Sequence, residues 1–314
     1  MREIAVFSGS AHRVLAAEIC AALGEPLLPV RLQRFANDCL EVQLQSNCRE
    51  RDVFLIQPLS PPVQEHLLEL LLMLDAARGA SAARVTAVIP HYAYARSDKK
   101  DQPRVSIGAR LVADLLVTAG ASRVLTMTLH SRQVHGFFSV PVDHLHALRE
   151  LAGHFHDLNP ARAVVVSPDL GNAKSAAEFA RRLGLPVAAG AKERFTDDKV
   201  TISSIIGDVH GRDVIVLDDE IARGTTIIEL LARLRGQDVA SVRIACTHGL
   251  FADGALERIA AAPEVAEIVC TNTVPVPGRD PAGKLRVLSV APALAEAIRR
   301  IHAGESVSAL FGPH

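Results

Sequence analysis

The residues best suited to chemistry follow the apolar run Val214–Leu217. Three acidic residues, Asp218–Glu220, come directly after it, and the loop Ala222–Thr226 then precedes a helical pattern. Backbone N–H groups at a helix N-terminus bind phosphate, and threonine hydroxyls add donors. Carboxylates can accept hydrogen bonds from sugar hydroxyls and can hold Mg²⁺ through water. The segment therefore predicts a sugar-phosphate site; the alternative is an ordinary turn with Thr225 or Thr226 as the helix N-cap.

Two further polar residues follow apolar runs. Asp169 comes after Val164–Val166, and His130 comes after Val124–Thr126. Ligands bind at the carboxyl ends of the strands in open α/β sheets, so both residues are candidate contacts for Mg²⁺ or phosphate. A histidine in isolation is also explained by a structural hydrogen bond.

Lys192 and Arg194 are two cations one residue apart, ahead of the polar segment Phe195–Asp198. Such a pair could clamp a polyphosphate and stabilise charge in a transition state. The alternative is a solvated loop.

The charged segment Tyr92–Pro103 follows the apolar run Val85–Ile89 and indicates a basic loop beside a ligand site, or else a solvated surface turn. Phe35 stands in a polar stretch with Asn37 close by. An aromatic ring there could stack on a purine base whose edge Asn37 contacts, although a lone phenylalanine more commonly packs in a core.

Positioning these residues requires strands and helices in alternation, and the sequence supplies both. Nine short apolar runs predict strands: Ile4–Phe7, Val53–Ile56, Val85–Ile89, Val124–Thr128, Ala163–Val166, Val214–Leu217, Val242–Cys246, Ile268–Thr271 and Arg286–Ser289. Helical patterns lie between them: Arg13–Leu23, Val63–Arg78, Ala109–Ala119, Ala147–Asp157, Ser175–Leu183, Ile227–Arg235 and Ala291–Ile301. Apolar strands in alternation with helices predict mainly parallel α/β sheets.

The chain also contains the same unit twice. Ala16–Leu23 matches Ala176–Leu183 at an offset of 160 residues, and Arg51–Ile56 matches Arg212–Leu217 with slight drift. A repeat of this length predicts two domains. We place them at residues 1–146 and 147–290, and we expect the final helix, within residues 291–314, to pack back on the first domain.

Composition limits the remaining possibilities. With 314 residues and a net charge of −1, the chain is long enough for two cores and has no global charge that favours nucleic acid or a membrane surface. The 5 cysteines lack C-x-x-C spacing, and this predicts a reducing compartment with no disulfide framework or zinc site. The N-terminus enters a strand directly and Leu67–Ala77 is too short to span a bilayer, so a cytoplasmic protein is expected.

Taken in this order, these residues resemble the ribose-phosphate diphosphokinase (PRPP synthetase) family over essentially the full chain. The most specific stretches are Arg84–Pro90 with Tyr94–Arg96, His130 with Gly136–Asp143, and Lys192–Arg194. The resemblance implies two tandem phosphoribosyltransferase-type domains, each a mainly parallel sheet flanked by helices. It also implies a transferase, with Mg²⁺ as cofactor, that moves the β,γ-diphosphoryl group of ATP to the 1-hydroxyl of ribose 5-phosphate for nucleotide biosynthesis. A homo-oligomer, a hexamer built from dimers, is implied as well.

The family's functional residues carry over to matching positions. On the ATP side the resemblance implies Phe35, Asn37, Arg96, Asp101 and His130. On the ribose 5-phosphate side it implies Asp169, Asp218, Asp219, Arg223, Gly224, Thr225 and Thr226. Lys192 and Arg194 would be the catalytic cations, and His130 and Asp169 would lie near the metal. Catalysis would then rest on positioning and charge neutralisation.

Several positions depart from the family pattern, and from them we expect a divergent member. Cys39 replaces a glutamate in the adenine loop, Ser97 a glutamine, and Thr128 an aspartate. In the phosphate loop Arg223 replaces a threonine and Thr225 a glycine. A β-branched residue does not readily adopt the backbone that glycine permits, although Arg223 could itself bind phosphate.

Three functions remain open at this point. The first is an active synthetase, or a paralogue with an altered donor or acceptor. The second is a non-catalytic subunit that regulates an active synthetase, and the third is a plain phosphoribosyltransferase. Retention of the cations, the acidic pair and His130 favours the enzyme.

Overall fold

The computed structural model describes residues 3–196, 199–276, 280 and 282–311. Its helices are α1 (Arg13–Leu23), α2 (Val63–Gly79), α3 (Gly108–Ala119), α4 (Leu148–His154), α5 (Ala173–Leu183), α6 (Thr225–Arg235), α7 (Ala255–Ala260) and α8 (Ala291–Ala303). Its strands are β1 (Ile4–Ser8), β2 (Leu27–Leu28), β3 (Val30–Arg34), β4 (Leu40–Leu44), β5 (Asp52–Ile56), β6 (Arg84–Ile89), β7 (Arg123–Met127), β8 (Val142–Leu145), β9 (Ala163–Ser167), β10 (Val187–Thr196), β11 (Lys199–Ile206), β12 (Asp213–Ile221), β13 (Ser241–Gly249), β14 (Val265–Thr271) and β15 (Leu285–Leu288).

The chain forms two compact units. The first comprises residues 1–146, 273–275 and 289–314, and the second comprises residues 147–272 and 276–288. The sheet of the first unit has the strand order β2-β1-β5-β6-β7-β8, and every neighbouring pair in it is parallel. β3 and β4 form a separate antiparallel hairpin in the same unit.

The sheet of the second unit repeats this topology. Its order is β11-β10-β9-β12-β13-β14-β15, parallel throughout except for the antiparallel pair β10–β11. When β11 is left out and the sheet strands of each unit are numbered along the chain, the two sheets have the same strand order. The α/β fold class with parallel sheets flanked by helices is therefore confirmed.

The repeated helices end in the same way. α1 buries one face, which includes Leu15 and Ile19, and α5 buries Ala176 and Phe179 in the corresponding place. Each helix stops at a glycine in the left-handed conformation, Gly24 at φ 76° and Gly184 at φ 68°. The left-handed region suits glycine because it has no Cβ, so both strand–helix units close with the same signal.

Hydrogen bonds around the buried carboxylate of Asp52 tie α8 to the sheet of the first unit. The Asp52 carboxylate at the start of β5 has no solvent exposure. It accepts hydrogen bonds from the Arg84 guanidinium and from His302 Nδ1 of α8, the latter at 2.9 Å. α8 also packs against α1, and Arg299 donates to the carbonyl of Ala22 at 3.2 Å.

Several elements differ from the sequence-based expectation. The hairpins β3–β4 and β10–β11, the short parallel strands β2 and β8, and the helix α7 were not predicted. β12 runs four residues past Leu217 because Asp218–Ile221 continues to pair with β13. All five cysteine thiols are free, and four of them are buried. No helix among the described residues is long and apolar enough to cross a membrane.

Candidate active site

The acidic segment of the second unit lies inside a strand rather than after one. In β12, Asp218 pairs with Cys246 of β13, and Ile221 pairs with Gly249. Parallel pairing holds the backbone rigid through the carboxylates, so their positions are set by the sheet. The Asp218 carboxylate also accepts a hydrogen bond from the backbone N–H of Asp219 at 2.9 Å.

Three carboxylates interact electrostatically at this edge. Burial raises the pKa of Asp218 well above its usual value, and the negative charges of Asp219 and Asp169 raise that pKa further. Asp169 follows β9, the strand beside β12. The site therefore holds concentrated negative charge, which sugar hydroxyls or a divalent cation would stabilise.

The loop after β9 is fixed by short-range contacts. Asp169 Oδ1 accepts from the backbone N–H of Asn172 at 3.1 Å, and Ser167 Oγ donates to the Asp169 carbonyl at 2.6 Å. The Asn172 side chain donates to the carbonyl of Leu217 at 2.9 Å, which joins this loop to β12. Asp169, Asp218 and Asp219 are thus brought together by neighbouring strands.

The loop Ala222–Gly224 leads from β12 into α6. Its only residue at positive φ is Gly224, at 70°, so the β-branched Thr225 that replaces a glycine meets no backbone conflict. Gly224 caps the helix without a side-chain hydrogen bond. Within the described chain, the backbone N–H groups of Arg223, Gly224 and Thr225 donate to no protein acceptor. Free N–H groups at the start of an 11-residue helix suit an anion.

Arg223 is held at the edge of this loop. Its Nε lies 3.0 Å from an Asp253 carboxylate oxygen, and both side chains are exposed. Sequence reasoning did not single out Asp253, which lies 30 residues away on the segment after β13. No local pattern marks such a pair, since only the pairing of β12 with β13 brings the two segments together.

Lys192 and Arg194 belong to β10. Their backbones pair with Ile202 and Val200 of β11, with irregular register on either side, so they lie in a strand and not in a loop. Their side chains fall outside the described part of the structure, as do residues 197 and 198 between the two strands.

In the first unit, Arg96 and His130 follow the adjacent parallel strands β6 and β7. Both side chains are exposed at the carboxyl edge of the sheet. Thr128, between β7 and His130, has φ 44°, a conformation that is unfavourable for a β-branched residue. Strain of this kind concentrates at functional sites. Asp101 lies further along the loop after Arg96 and pairs with Lys99 at 3.4 Å, with both side chains exposed.

Phe35 and Asn37 lie at the tip of the β3–β4 hairpin. Phe35 is 44% exposed, so its ring is not part of a core. Asn37 Oδ1 accepts from the backbone N–H of Cys39 at 3.3 Å, and Phe35 N donates to the Cys39 carbonyl at 2.9 Å. These contacts shape a turn that presents the aromatic ring to solvent, and Cys39 is exposed beside it.

The donor set suits Mg²⁺ that arrives with a phosphate ligand. Among the residues that the structure describes, no group of three His, Cys, Asp or Glu side chains forms a ready-made metal cage. Mg²⁺ usually keeps several waters and takes one or two carboxylates together with substrate phosphates. The oxygen ligands of Asp169, Asp218 and Asp219 fit that mode of binding.

The chain is similar to known proteins over nearly its whole length. Residues 4–120 match the N-terminal domain of ribose phosphate pyrophosphokinase, and residues 193–312 match the phosphoribosyl synthetase-associated domain. A Streptomyces coelicolor protein provisionally named a ribose-phosphate pyrophosphokinase is 74% identical, over 99% of this chain and 98% of its own length. The ribose-phosphate pyrophosphokinase of Deinococcus radiodurans is 51% identical, over 98% of this chain and 97% of its own.

A solved structure has the same architecture. The phosphoribosylpyrophosphate synthetase of Mycobacterium smegmatis aligns with a TM-score of 0.91 and 38% identity, over 96% of this chain and 100% of that one. At these levels of identity, the departures at Cys39, Ser97, Thr128, Arg223 and Thr225 do not set the chain clearly apart from its relatives. The chain belongs to the ribose-phosphate pyrophosphokinase family.

Proposed function

We propose that this chain transfers the β,γ-diphosphoryl group of ATP to the 1-hydroxyl of ribose 5-phosphate. The ribose 1-oxygen attacks the β-phosphorus, the bond from that phosphorus to the α-phosphate oxygen breaks, and AMP leaves. The products are PRPP and AMP. The observation that carries the proposal is the pair of carboxylates in β12, Asp218 and Asp219, followed by a loop with free backbone N–H groups. The chain also matches a ribose-phosphate pyrophosphokinase over nearly its full length.

The second unit would bind ribose 5-phosphate. Asp218 and Asp219 can accept hydrogen bonds from the ribose hydroxyls, since ionised carboxylates are strong acceptors. The loop from Arg223 to Thr226 would hold the 5-phosphate with its backbone N–H groups and threonine hydroxyls. Arg223 lies four positions after Asp219, so the turn from strand to helix would give one ligand a polar contact at each end.

The first unit would bind ATP. Phe35 offers an exposed ring for the adenine, with Asn37 beside it, and Arg96 and His130 lie at the carboxyl edge of the sheet. Asp101 belongs to the same loop as Arg96. Base stacking on an aromatic side chain tolerates any base, so selectivity for adenine would depend on the hairpin's polar groups.

Lys192 and Arg194 would supply the charge that catalysis needs. In phosphoryl transfer the enzyme acts mainly by positioning its substrates and by stabilising the charge on the phosphate oxygens. His130 in the first unit and Asp169 in the second are the residues that would contact Mg²⁺, whose positive charge would offset part of the charge on the phosphates. No protein nucleophile takes part.

Further properties follow from the proposal. We expect ATP and ribose 5-phosphate as the small-molecule partners, no nucleic acid or membrane partner, a homo-oligomer, and a cytoplasmic location where nucleotide precursors are made.

The test is an assay of the purified protein with ribose 5-phosphate, ATP and Mg²⁺ that follows AMP release, beside Lys192→Ala. We expect turnover in the wild type and a loss of at least about 100-fold in kcat in the variant, since one charge contact in the transition state is worth that much. Absence of turnover in the wild type, at any phosphate concentration and with other nucleoside triphosphates, would contradict the proposal.

A further inference from the structure

The carbonyl groups of three successive residues that lead into the phosphate loop, 221–223, all accept hydrogen bonds from one segment of the second unit. Leu250 N and Phe251 N donate to the carbonyl of Ile221 at 3.1 and 3.0 Å, and Ala252 N donates to that of Ala222 at 2.9 Å. Arg258 Nη2 donates to the carbonyl of Arg223 at 2.8 Å. We call residues 250–258 the brace. Three successive carbonyls thus point toward the brace, and the last of them is held by a side chain.

This arrangement determines where the N–H groups point. In a trans peptide the C=O of one residue and the N–H of the next lie on opposite sides of the bond. When the carbonyls of residues 221–223 face the brace, the N–H groups of Ala222, Arg223 and Gly224 face away from it. Of these, Arg223 N and Gly224 N donate to no acceptor in the described chain. The brace therefore aims free donors at the place proposed for the phosphate.

Side-chain contacts complete the brace. Arg258 Nη1 donates to the carbonyl of Asp253, and the Asp253 carboxylate holds the Arg223 guanidinium at 3.0 Å. Phe251 and Asp253 have φ values of 45° and 55°, which are unfavourable for residues other than glycine. The contacts of Arg258 stabilise a backbone that would otherwise relax.

The loop is also packed against the helix that begins in the brace. Gly224 has positive φ, and a Cβ at this position would lie 2.9 Å from Ile259 Cδ1 and 3.4 Å from the Ala255 Cβ. The loop backbone thus approaches α7 as closely as a glycine allows. The path of the loop therefore depends on hydrogen bonds from the brace and on packing against α7.

We propose that Arg258 and Asp253 are positioning residues that fix the phosphate loop for the 5-phosphate of ribose 5-phosphate. The proposal rests on the proposed function. Arg258 acts through the carbonyl of Arg223, and Asp253 acts through the Arg223 guanidinium. Neither residue needs to contact the substrate.

The kinetic consequence is specific. The 5-phosphate is remote from the reacting 1-oxygen, so its contacts have the same strength in the ground state and in the transition state. Loss of such contacts raises KM and leaves kcat nearly unchanged. The KM for ATP should not change, because ATP does not use this loop.

The experiment compares Arg258→Ala, Arg258→Lys and Asp253→Asn with the wild type. Arg235→Ala is the matched control, because Arg235 lies at the far end of α6, where its side chain is 56% exposed and pairs with Glu264 at 2.7 Å. We expect the KM for ribose 5-phosphate to rise about tenfold in Arg258→Ala and about threefold in Asp253→Asn, with kcat within about twofold. Arg258→Lys should recover part of the loss, and the control should match the wild type. Circular dichroism and melting temperatures verify folding.

An unchanged KM in a folded Arg258→Ala variant would overturn the proposal, as would a parallel fall in kcat and rise in the KM for ATP. A lower KM in Asp253→Asn would assign Arg223 to direct phosphate binding and refute the role of Asp253. If the wild type does not turn over, calorimetric titration with ribose 5-phosphate separates the two proposals. Weaker binding by Arg258→Ala alone would support the brace without the enzyme, and equal binding, or none by the wild type, would overturn the brace.

Discussion

Asp218 is partly buried beside two other carboxylates, and its pKa is raised chiefly by burial and then by the charge of Asp219. A raised carboxyl pKa in the folded state means that ionisation opposes folding. Stability from this group is fully present below the unfolded pKa and is lost as the pH rises through the folded pKa. The ionised Asp218 carboxylate therefore reduces stability near neutral pH.

Asp218→Asn should relieve this conflict. The amide oxygen can still accept from the Asp219 N–H, but it carries no charge, so we expect the melting temperature at pH 8 to rise by about 2–4 °C. The gain should shrink at pH 5, and kcat/KM should fall at least about tenfold because a charged acceptor is lost. Asp208→Asn is the control, since hydrogen bonding to Arg212 lowers the pKa of that exposed carboxyl. A melting temperature at pH 8 equal to or below that of the wild type would contradict the electrostatic account.

Phe35→Ala tests the adenine contact. The ring is 44% exposed, so its loss should leave the melting temperature unchanged, whereas stacking on a base is worth about 1–3 kcal/mol. We expect the KM for ATP to rise about tenfold or more, and Phe35→Trp to retain binding. Val14→Ala, at 66% exposure in the same unit, serves as control. Equal KM values for wild type and Phe35→Ala would remove Phe35 from the site.

At the residue scale, the sequence indicated the types of side chain but not how they are held. Asp218, Asp219 and Gly224 were predicted from their order after an apolar run. Asp253 and Arg258 were missed because they lie 30 and 35 residues from Arg223, with no pattern to connect them. Only the parallel pairing of β12 with β13 brings the two segments together.

Among the elements, the buried parallel strands and long helices were predictable, whereas the hairpins and the short edge strands β2 and β8 were not. Strands such as β5, whose five residues are all buried, give a continuous apolar run. β3 and β4 have no fully buried residue, so they lack that signal. The end of β12 was misplaced because backbone pairing continues through acidic residues that the sequence analysis placed directly after the strand.

The anchor of α8 gives a prediction at this scale. Asp52→Ala leaves Arg84 and His302 without their buried carboxylate, so we expect a loss of about 2–4 kcal/mol in the free energy of unfolding by urea. Asp114→Ala is the control, since it removes an exposed ion pair in which the side chains of Arg110 and Asp114 are 57% and 51% exposed. This change should lower the free energy of unfolding by about 1 kcal/mol or less. Similar losses of unfolding free energy in the two variants would contradict a stabilising role for the buried Asp52 carboxylate.

At the scale of the whole molecule, the number of reactive cysteine thiols can be measured. Cys39 alone is exposed, while Cys20, Cys48, Cys246 and Cys270 are buried. Burial raises the pKa of Cys20 to about 11 and that of Cys270 to about 12, so these thiols stay protonated and unreactive at pH 8. A thiol reagent should titrate about one group per native chain and all 5 after denaturation. Cys39→Ser should abolish the native reaction, and a second reactive native thiol would contradict the burial pattern.

The family and the two-sheet architecture were both predictable from the sequence, because the repeat at 160 residues and the order of motifs extend over the whole chain. The two sheets share one strand order. Relatives at 51% and 74% identity match nearly all of the chain. The sequence alone could not supply the electrostatic state of Asp218, because its pKa depends on its burial and on the charges of Asp219 and Asp169.

The most direct test of the central claim is a ³¹P NMR spectrum of the reaction mixture with ATP, ribose 5-phosphate and Mg²⁺. Transfer of the diphosphoryl group predicts a diphosphate ester on the sugar and AMP in equal amounts, with no ADP at early times. ADP with a sugar bisphosphate would mean transfer of the γ-phosphate alone, and an unchanged spectrum would mean no transfer; either result would contradict the account.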